Sequence, residues 1–384
     1  MLDSQFDVAV LGGGPAGTAA ALVLLKYSNL SVVVVEKSDY ENFRIGESLS
    51  PGVTPLLDYL GIADQLDQHR SSFGIRAAWN SDEMHSLDFM YTVHGQGISL
   101  NRKTFDQTLA NAVVDRGGTL LTETKLEHLS STAQGWQIKT SRGILRSKFC
   151  IDATGKSAVL ARHQGSRRLL YDHLVGVVGI GEIDKDDDSF TEIEACEHGW
   201  WYSAKLPNQR AIFVYLSDSD LIQRDKLNKS ENWLNGLRKT QHLVKRANRC
   251  QFTSSIRLFP ANTAHLDKMY GNNWIAAGDA AISYDPLSAR GIPSALDTGI
   301  QAARLACGWL TEQTSSLDNY QANSLRNFQE YLNVWTRYYQ LEQRWPTSTF
   351  WRRRQAIIQL DPTCQLTIGK DFQPSNLYLN KQDY

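Results

Sequence analysis

Gly12, Gly14 and Gly17 stand at the spacing G-x-G-x-x-G, with Pro15 and Ala16 between the second and the third. Glycines so placed bring a backbone close enough to a pyrophosphate for its N–H groups to bind it. Gly12 permits the tight turn, Gly14 the close approach, and Gly17 the packing of helix on strand. Glu36 follows at about the 20-residue offset where an acidic side chain accepts hydrogen bonds from ribose hydroxyls. Lys37 adjoins it and is assigned to the same site. Asp279, after a second Gly-containing turn, can bind another sugar-type hydroxyl. Other chemistries lack their residues. The five cysteines are scattered singly, with no C-x-x-C and no metal-ligand spacing, so no metal is expected. No histidine pairs with a base. A formal net charge of -1 gives no electrostatic case for nucleic acid or an anionic membrane.

The elements that must position these groups can be read from pattern. Phe6–Leu11 is a short buried strand, Pro15 to about Tyr27 a helix, and Ser31–Glu36 a β-branched second strand. The unit is strand–turn–helix–strand, which places the helix N-terminus against the phosphates. A helix is expected near Val53–Leu60, antiparallel strands over about 74–100, a helix over Asn101–Arg116 and a parallel strand at Thr119–Leu121. Trp136–Ile138 and Ile144–Lys148 suggest a hairpin, followed by a separate buried strand Phe149–Ala153. Strand patterns dominate from about 168 to 257, with one helix near Trp233–Thr240. Trp274–Ala277 is a buried strand, and helices follow through Ser294–Leu310 and Leu317–Trp345. The N-terminus lacks the basic region of a signal peptide, no apolar run approaches the roughly 20 residues of a membrane span, and a soluble cytoplasmic protein is expected.

Several of these segments together carry a resemblance. Gly278-Asp279-Ala280-Ala281, then Asp285-Pro286-Leu287-Ser288-x-x-Gly291-Ile292 entering a helix, resembles the second FAD motif of the group A flavin monooxygenases and flavin-dependent halogenases. Arg102, in Asn101-Arg102-x-x-Phe105-Asp106-x-x-Leu109, resembles their flavin-contacting arginine. Asp152-Ala153-Thr154-Gly155 resembles their third strand-end motif, and Arg44-Ile45-Gly46-Glu47-Ser48-Leu49 the loop after the second strand in the halogenase branch. The resemblance implies an α/β fold: a Rossmann-like FAD-binding domain of the glutathione-reductase type, interwoven with a β-sheet substrate domain and a C-terminal helical segment. Residues 1–73, 101–165 and 258–320 would form the first, 74–100 and 166–257 the second, and 321–384 the third. Arg44, Ser48, Arg102, Asp152, Gly278, Asp279, Pro286, Gly291 and Ile292 join the glycines in the FAD site. The helix beginning near Pro286 would aim N–H groups at the flavin and stabilise its reduced, negative form.

The resemblance also bears on the reaction. Tryptophan halogenases carry an active-site lysine upstream and a glutamate within Asp-Pro-Leu-Glu-Ser-x-Gly. This chain has Ser288 at the glutamate position, no lysine between Lys37 and Lys103, and Trp200-Trp201-Tyr202-Ser203-Ala204-Lys205-Leu206-Pro207 in place of Trp-x-Trp-x-Ile-Pro. That aromatic strand, with Glu342–Pro346 and Phe350–Arg354, is most similar to the flavoproteins that mature cysteine tryptophylquinone enzymes, the partners of lysine ε-oxidase and glycine oxidase. The implied substrate is a tryptophan in the precursor of such an oxidase, and the implied chemistry is oxygen insertion, with NAD(P)H or reduced flavin as external reductant. A hydroxylase of a small aromatic molecule is the alternative, ahead of a halogenase or a flavin reductase; a flavin-containing chaperone that only binds the precursor is a further reading. Glu47, Trp201 and Pro286 are the catalytic candidates. Glu47 lies near the expected flavin face, with a cap for the helix at Pro51 as the competing role. Trp201 is a candidate pocket wall, with sheet core as its competitor. Arg352–Arg354 with Trp345 and Trp351 have the composition of an interface, or of a basic helix packed on the FAD domain.

Overall fold

A computed structural model describes residues 2–66, 69–92, 95–184, 188–252, 255–311 and 317–355. Its central sheet runs, in spatial order, Tyr270–Gly271, Trp274–Ala276, Gly143–Asp152, Leu2–Leu11, Val32–Val35 and Thr119–Leu121. The last five strands in this order are parallel, and Tyr270–Gly271 pairs antiparallel with Trp274–Ala276. A parallel sheet must be covered on both faces, and its central residues are accordingly apolar and buried: Val8–Leu11, Val32–Val35 and Phe149–Ile151. Helix Pro15–Tyr27 packs against helices Gly291–Leu310 and Arg102–Asp115. Close packing there depends on glycine: a Cβ at Gly299 would lie 2.3 Å from the Ala16 carbonyl oxygen.

One strand differs from expectation. Gly143–Asp152 is a single ten-residue strand, where the sequence suggests a hairpin arm followed by a separate strand. Its first half pairs with Gly135–Thr140 and alternates in exposure. Its second half lies between Leu2–Leu11 and Trp274–Ala276 and is buried on both faces. The change of pattern marks a change of neighbours within one strand.

The second sheet runs Cys250–Phe252, Leu174–Ile183, Arg210–Asp218, Gly199–Leu206, Phe190–Cys196, Gly74–Ala78 and His85–Asp88. It is antiparallel except where Phe190–Glu194 pairs in parallel with Gly74–Ala78, so the 74–100 region is not a self-contained antiparallel set. Period-2 alternation divides its side chains between two cores. Trp200, Ala204 and Leu206 join the main core with the first sheet, whereas Trp201, Phe213, Tyr215 and Trp233 form a second core under helix Ser230–Arg238. The Trp233 indole N–H donates to the Val177 carbonyl at 3.0 Å, which satisfies its one polar atom in that core.

Helix Leu317–Leu341 and the short helix Thr349–Gln355 fasten the two sheets together. Arg354, buried, pairs with Asp218 of the second sheet at 2.8 Å, and the Trp351 indole donates to the Cys196 carbonyl at 3.0 Å. The Arg–Trp segment is therefore a packed helix: Trp351 and Arg354 face inward, and Arg353 binds Asp218 and Asp220. The expected C-terminal helical region is described to Gln355, and its remainder, 356–384, lies outside the described residues. Among the described residues no helix is long and apolar enough to cross a membrane.

Candidate active site

At the end of the first strand, Gly12 takes φ +107°, and a Cβ there would lie 2.3 Å from the Ala153 carbonyl oxygen. A Cβ at Gly17 would lie 1.9 Å from the Gly12 carbonyl oxygen. These two glycines are required by the protein's own backbone. Gly14 is different: it precedes the first turn of helix Pro15–Tyr27, and a Cβ there meets nothing within 4 Å. The turn thus opens a backbone-lined space at a helix N-terminus, the place where an anion is best held.

Glu36 supports this turn from the second strand. Its Oε2 accepts from the Gly13 N–H at 2.7 Å, and its Oε1 from the Ser38 N–H and hydroxyl and from Arg44. Tyr40, buried, donates its hydroxyl to the Gly13 carbonyl at 2.9 Å. Lys37 is exposed. Arg44 also binds Asp106 at 2.9 Å, and Asp106 in turn binds Arg102 one helical turn away at 3.1 Å. One buried carboxylate therefore orients both arginines. Arg102 reaches further, donating to the Ile45 carbonyl. A Cβ at Gly46, where φ is +95°, would lie 2.9 Å from the Arg102 guanidinium and 3.7 Å from the Ile292 side chain. The loop around Gly46, the arginine and the start of helix Gly291–Leu310 therefore converge.

Glu47 sits in that convergence and is buried. Its Oε2 accepts from the Gly46 N–H at 3.1 Å, and burial pushes its carboxyl up to about 7, with that N–H and Arg102 pulling the other way. It does not cap the helix at Pro51, whose start carries no side-chain cap. Ser48 faces the second sheet, its hydroxyl 3.4 Å from that of Thr191.

Gly278, at φ +61°, presses against Ala16 and carries the chain into Asp279. Among the described residues no hydrogen bond to the Asp279 carboxylate is formed; Lys156, Arg168 and Arg102 surround it electrostatically, while burial raises its carboxyl. Asp152 is otherwise engaged: it accepts from the Thr154 N–H and hydroxyl and from the Ala161 N–H at 2.9 Å. Its carboxylate secures the strand end, and the neighbouring Ala153 is what touches the Gly-rich turn.

Two catalytic candidates need correction. Pro286 opens a 3₁₀ turn over Pro286–Ser288, and the long helix begins only at Gly291. The turn ends at Ala289 with φ +50°, which breaks helical continuity, so the helix N-terminus belongs to Gly291, where a Cβ meets nothing within 4 Å. Trp201 is 2% exposed and lies in the second core against Tyr215 and Trp233, on the sheet face turned away from the first sheet. It is sheet core and not a pocket wall.

Before Pro286 stands Asp285, which is fully buried. It accepts from the Leu287 N–H and, through Oδ2, from Trp335 and Tyr339 at 2.9 Å each. Burial raises its carboxyl to about 6. The C-terminal helix thereby fixes the turn that leads into Gly291.

Sequence comparison decides the family. The tryptophan halogenase family matches residues 91–370, well over half of the chain. The chain belongs to that family. The FAD dependent oxidoreductase family matches residues 7–169. LodB of Marinomonas mediterranea, named as an inferred FAD-dependent oxidoreductase, is 32% identical over 369 residues, covering 93% of this chain and 98% of LodB. Among solved structures, the flavin-dependent halogenase CmlS superposes with a TM-score of 0.81 at 22% identity, covering 91% of this chain and 67% of CmlS. The peptidyl tryptophan dihydroxylase QhpG, described as essential for tryptophylquinone cofactor biogenesis, superposes with a TM-score of 0.69 at 22% identity, covering 96% of this chain and 82% of QhpG.

This halogenase-family member is an FAD-dependent oxidoreductase, and its first sheet with the covering helices is a Rossmann-like FAD-binding domain. The residues fit the cofactor: the open space at Gly14, the carboxylate of Asp279 without a hydrogen-bond partner among the described residues, and the open helix start at Gly291 are what a pyrophosphate, a polyol and a flavin ring require. Sequence reasoning missed Tyr40 and the orienting role of Asp106. The partner of Tyr40 lies 27 residues away in the chain and one of the two partners of Asp106 lies 62 away, and neither residue type is diagnostic.

Proposed function

We propose that the chain inserts oxygen into a tryptophan side chain of a partner protein, the precursor of a tryptophylquinone-dependent oxidase, using O2 and electrons from NAD(P)H or free reduced flavin. The observation that carries this reading is the turn before Gly291. Where tryptophan halogenases, by the motif, place a glutamate, this chain places Ser288, whose hydroxyl donates to the Asp285 carbonyl at 2.7 Å and closes the turn on itself. With no lysine between Lys37 and Lys103 either, the lysine and glutamate that the resemblance assigns to halogenation are both absent, while the glycines, Arg102 and Asp279 expected of an FAD site are present. QhpG, whose fold covers nearly the whole chain, supports a peptidyl tryptophan as the substrate.

Bound FAD would supply the electron transfer to O2. The chain's own part is to hold it through Gly12–Gly17, Arg102, Asp279 and the Gly291 helix start, to exclude water, and to manage one proton. An indole that gains oxygen must lose a ring proton to regain aromaticity. Glu47, buried beside Arg102 with a carboxyl near neutrality, is suited to exchange that proton. The test is co-expression of the oxidase precursor with and without the chain, followed by intact-mass and peptide analysis. A gain of oxygen on one precursor tryptophan, dependent on the chain, is expected. An unmodified precursor bound in a stable complex would mean a binding chaperone; no complex, with hydroxylation of a free aromatic compound, would mean the small-molecule reading.

A further inference from the structure

A line of aromatic rings leads from the turn at the FAD site to the protein surface. Tyr284 and Tyr331 lie beside the start of helix Gly291–Leu310, with centroids 4.8 Å apart. The Tyr331 hydroxyl accepts from the Asp285 N–H at 2.9 Å, and Asp285 Oδ2 accepts from both Trp335 and Tyr339 at 2.9 Å. Trp335 and Tyr339 are 5.0 Å apart, Tyr339 and Trp351 5.8 Å, and Trp351 and Trp345 6.0 Å with ring planes at 16°. Trp345 is partly exposed, and the Arg344 guanidinium lies 4.3 Å from its ring. Every gap is short enough for rapid electron transfer between rings. The line also holds a built-in proton acceptor, because the Tyr339 phenol already points its O–H at a carboxylate.

We infer that Trp335, Tyr339, Trp351 and Trp345 form a one-electron relay that drains oxidising equivalents from the FAD site to the surface when O2 is reduced there without a substrate to receive the oxygen. This rests on the oxygen-using reading above. The oxidant is hydroxyl radical, formed together with hydroxide when hydrogen peroxide, the product of O2 reduction without a substrate, takes one electron from the external reductant and its O–O bond breaks. It takes one electron from Tyr339, directly or through Trp335 in ring contact with it, and leaves as hydroxide. The Tyr339 phenol proton passes to Asp285 Oδ2 as the electron leaves. Trp351 then returns an electron to Tyr339, and the proton moves back from Asp285. Trp345 refills Trp351 and holds the electron vacancy at the surface, where a soluble donor of the ascorbate or thiol class fills it.

The test uses the FAD-loaded full chain with reductant and O2, without partner protein or ascorbate, and with catalase to remove free peroxide. Peptide mass mapping reads oxygen addition at each aromatic residue, and an oxygen electrode follows the same sample. Trp309, 37% exposed and outside the line of rings, serves as the internal control. The relay predicts severalfold more oxidation at Trp345 than at Trp309, and W351F moves that oxidation back to Tyr339 and Trp335. Because Trp351 is buried and its replacement can impair folding, W345F is the second variant, with oxidation accumulating at Trp351 instead. Oxygen consumption with Trp345 oxidised no more than Trp309, or equally in W351F, overturns the relay and leaves the oxygenase reading standing. No oxygen consumption without the partner also overturns the relay, which requires O2 to be reduced in its absence; the oxygenase reading is overturned separately, by a precursor that stays unmodified.

Discussion

The Gly14→Ala and Gly17→Ala variants should fail in different ways, although both change one hydrogen to a methyl group in the same turn. At position 17 the added Cβ would lie 1.9 Å from the Gly12 carbonyl oxygen and 3.1 Å from the Val10 side chain, far inside contact distance. Neither neighbour can yield: one is backbone, the other central strand. Overpacking of this kind costs about 1–3 kcal/mol or more, or a fall in Tm of roughly 1 °C per kcal/mol for a protein of this size. At position 14 the Cβ meets nothing within 4 Å, and the backbone, at φ −78°, is one alanine adopts freely. The only intrinsic penalty is alanine's poorer fit at a helix start, less than about 1 kcal/mol. The methyl group would, however, occupy the space that the pyrophosphate needs. Gly14→Ala should therefore keep apoprotein stability and lose FAD affinity by at least about tenfold, or 1.4 kcal/mol. Urea melts of the apoproteins and FAD titration by flavin fluorescence measure the two quantities. A Gly14→Ala protein that binds FAD like the parent, or is as unstable as Gly17→Ala, would refute the assignment of that space to the pyrophosphate.

Glu47, with its carboxyl raised from 4.5 to about 7 by burial, favours the protonated form in the folded state. Stability linked to it is full below about pH 4.5 and is lost as pH rises through about 7, a loss on the order of 3 kcal/mol; pH-resolved urea melts of Glu47→Gln should lack that decline, and its rate profile should lack the ionisation near neutrality. Trp201→Phe should lower stability by about 1–3 kcal/mol while leaving FAD affinity and turnover unchanged, as denaturation and activity assays would show. Arg354→Ala strands buried Asp218 with only the half-exposed Arg353, and should cost about 3–5 kcal/mol in a thermal or urea melt.

How much of this was legible beforehand depended on the range of the interaction involved. The strand–turn–helix around Gly12–Gly17 was readable because its causes are local: a buried run, a spacing of glycines, a proline at the helix start. Boundaries failed where a second influence entered. Pro286 is a fair helix opener by itself, yet Asp285, held by Trp335 and Tyr339 about fifty residues downstream, fixes it in a separate 3₁₀ turn. Asp152 was legible as a strand-end acid but not as the acceptor for Ala161. Alternation of Trp200 and Trp201 was foreseen. Which face met the first sheet was not, because that depends on how two sheets stack, and no single strand encodes it.

The central claim, oxygen insertion into a protein tryptophan, is tested most directly with purified components: the FAD-loaded chain, a reductant, the oxidase precursor and isotopically heavy O2. The account predicts heavy oxygen on one tryptophan peptide of the precursor, absent when FAD, reductant or the chain is omitted. Consumption of O2 with no heavy oxygen in the precursor, or a halogen added when halide is supplied, would contradict it.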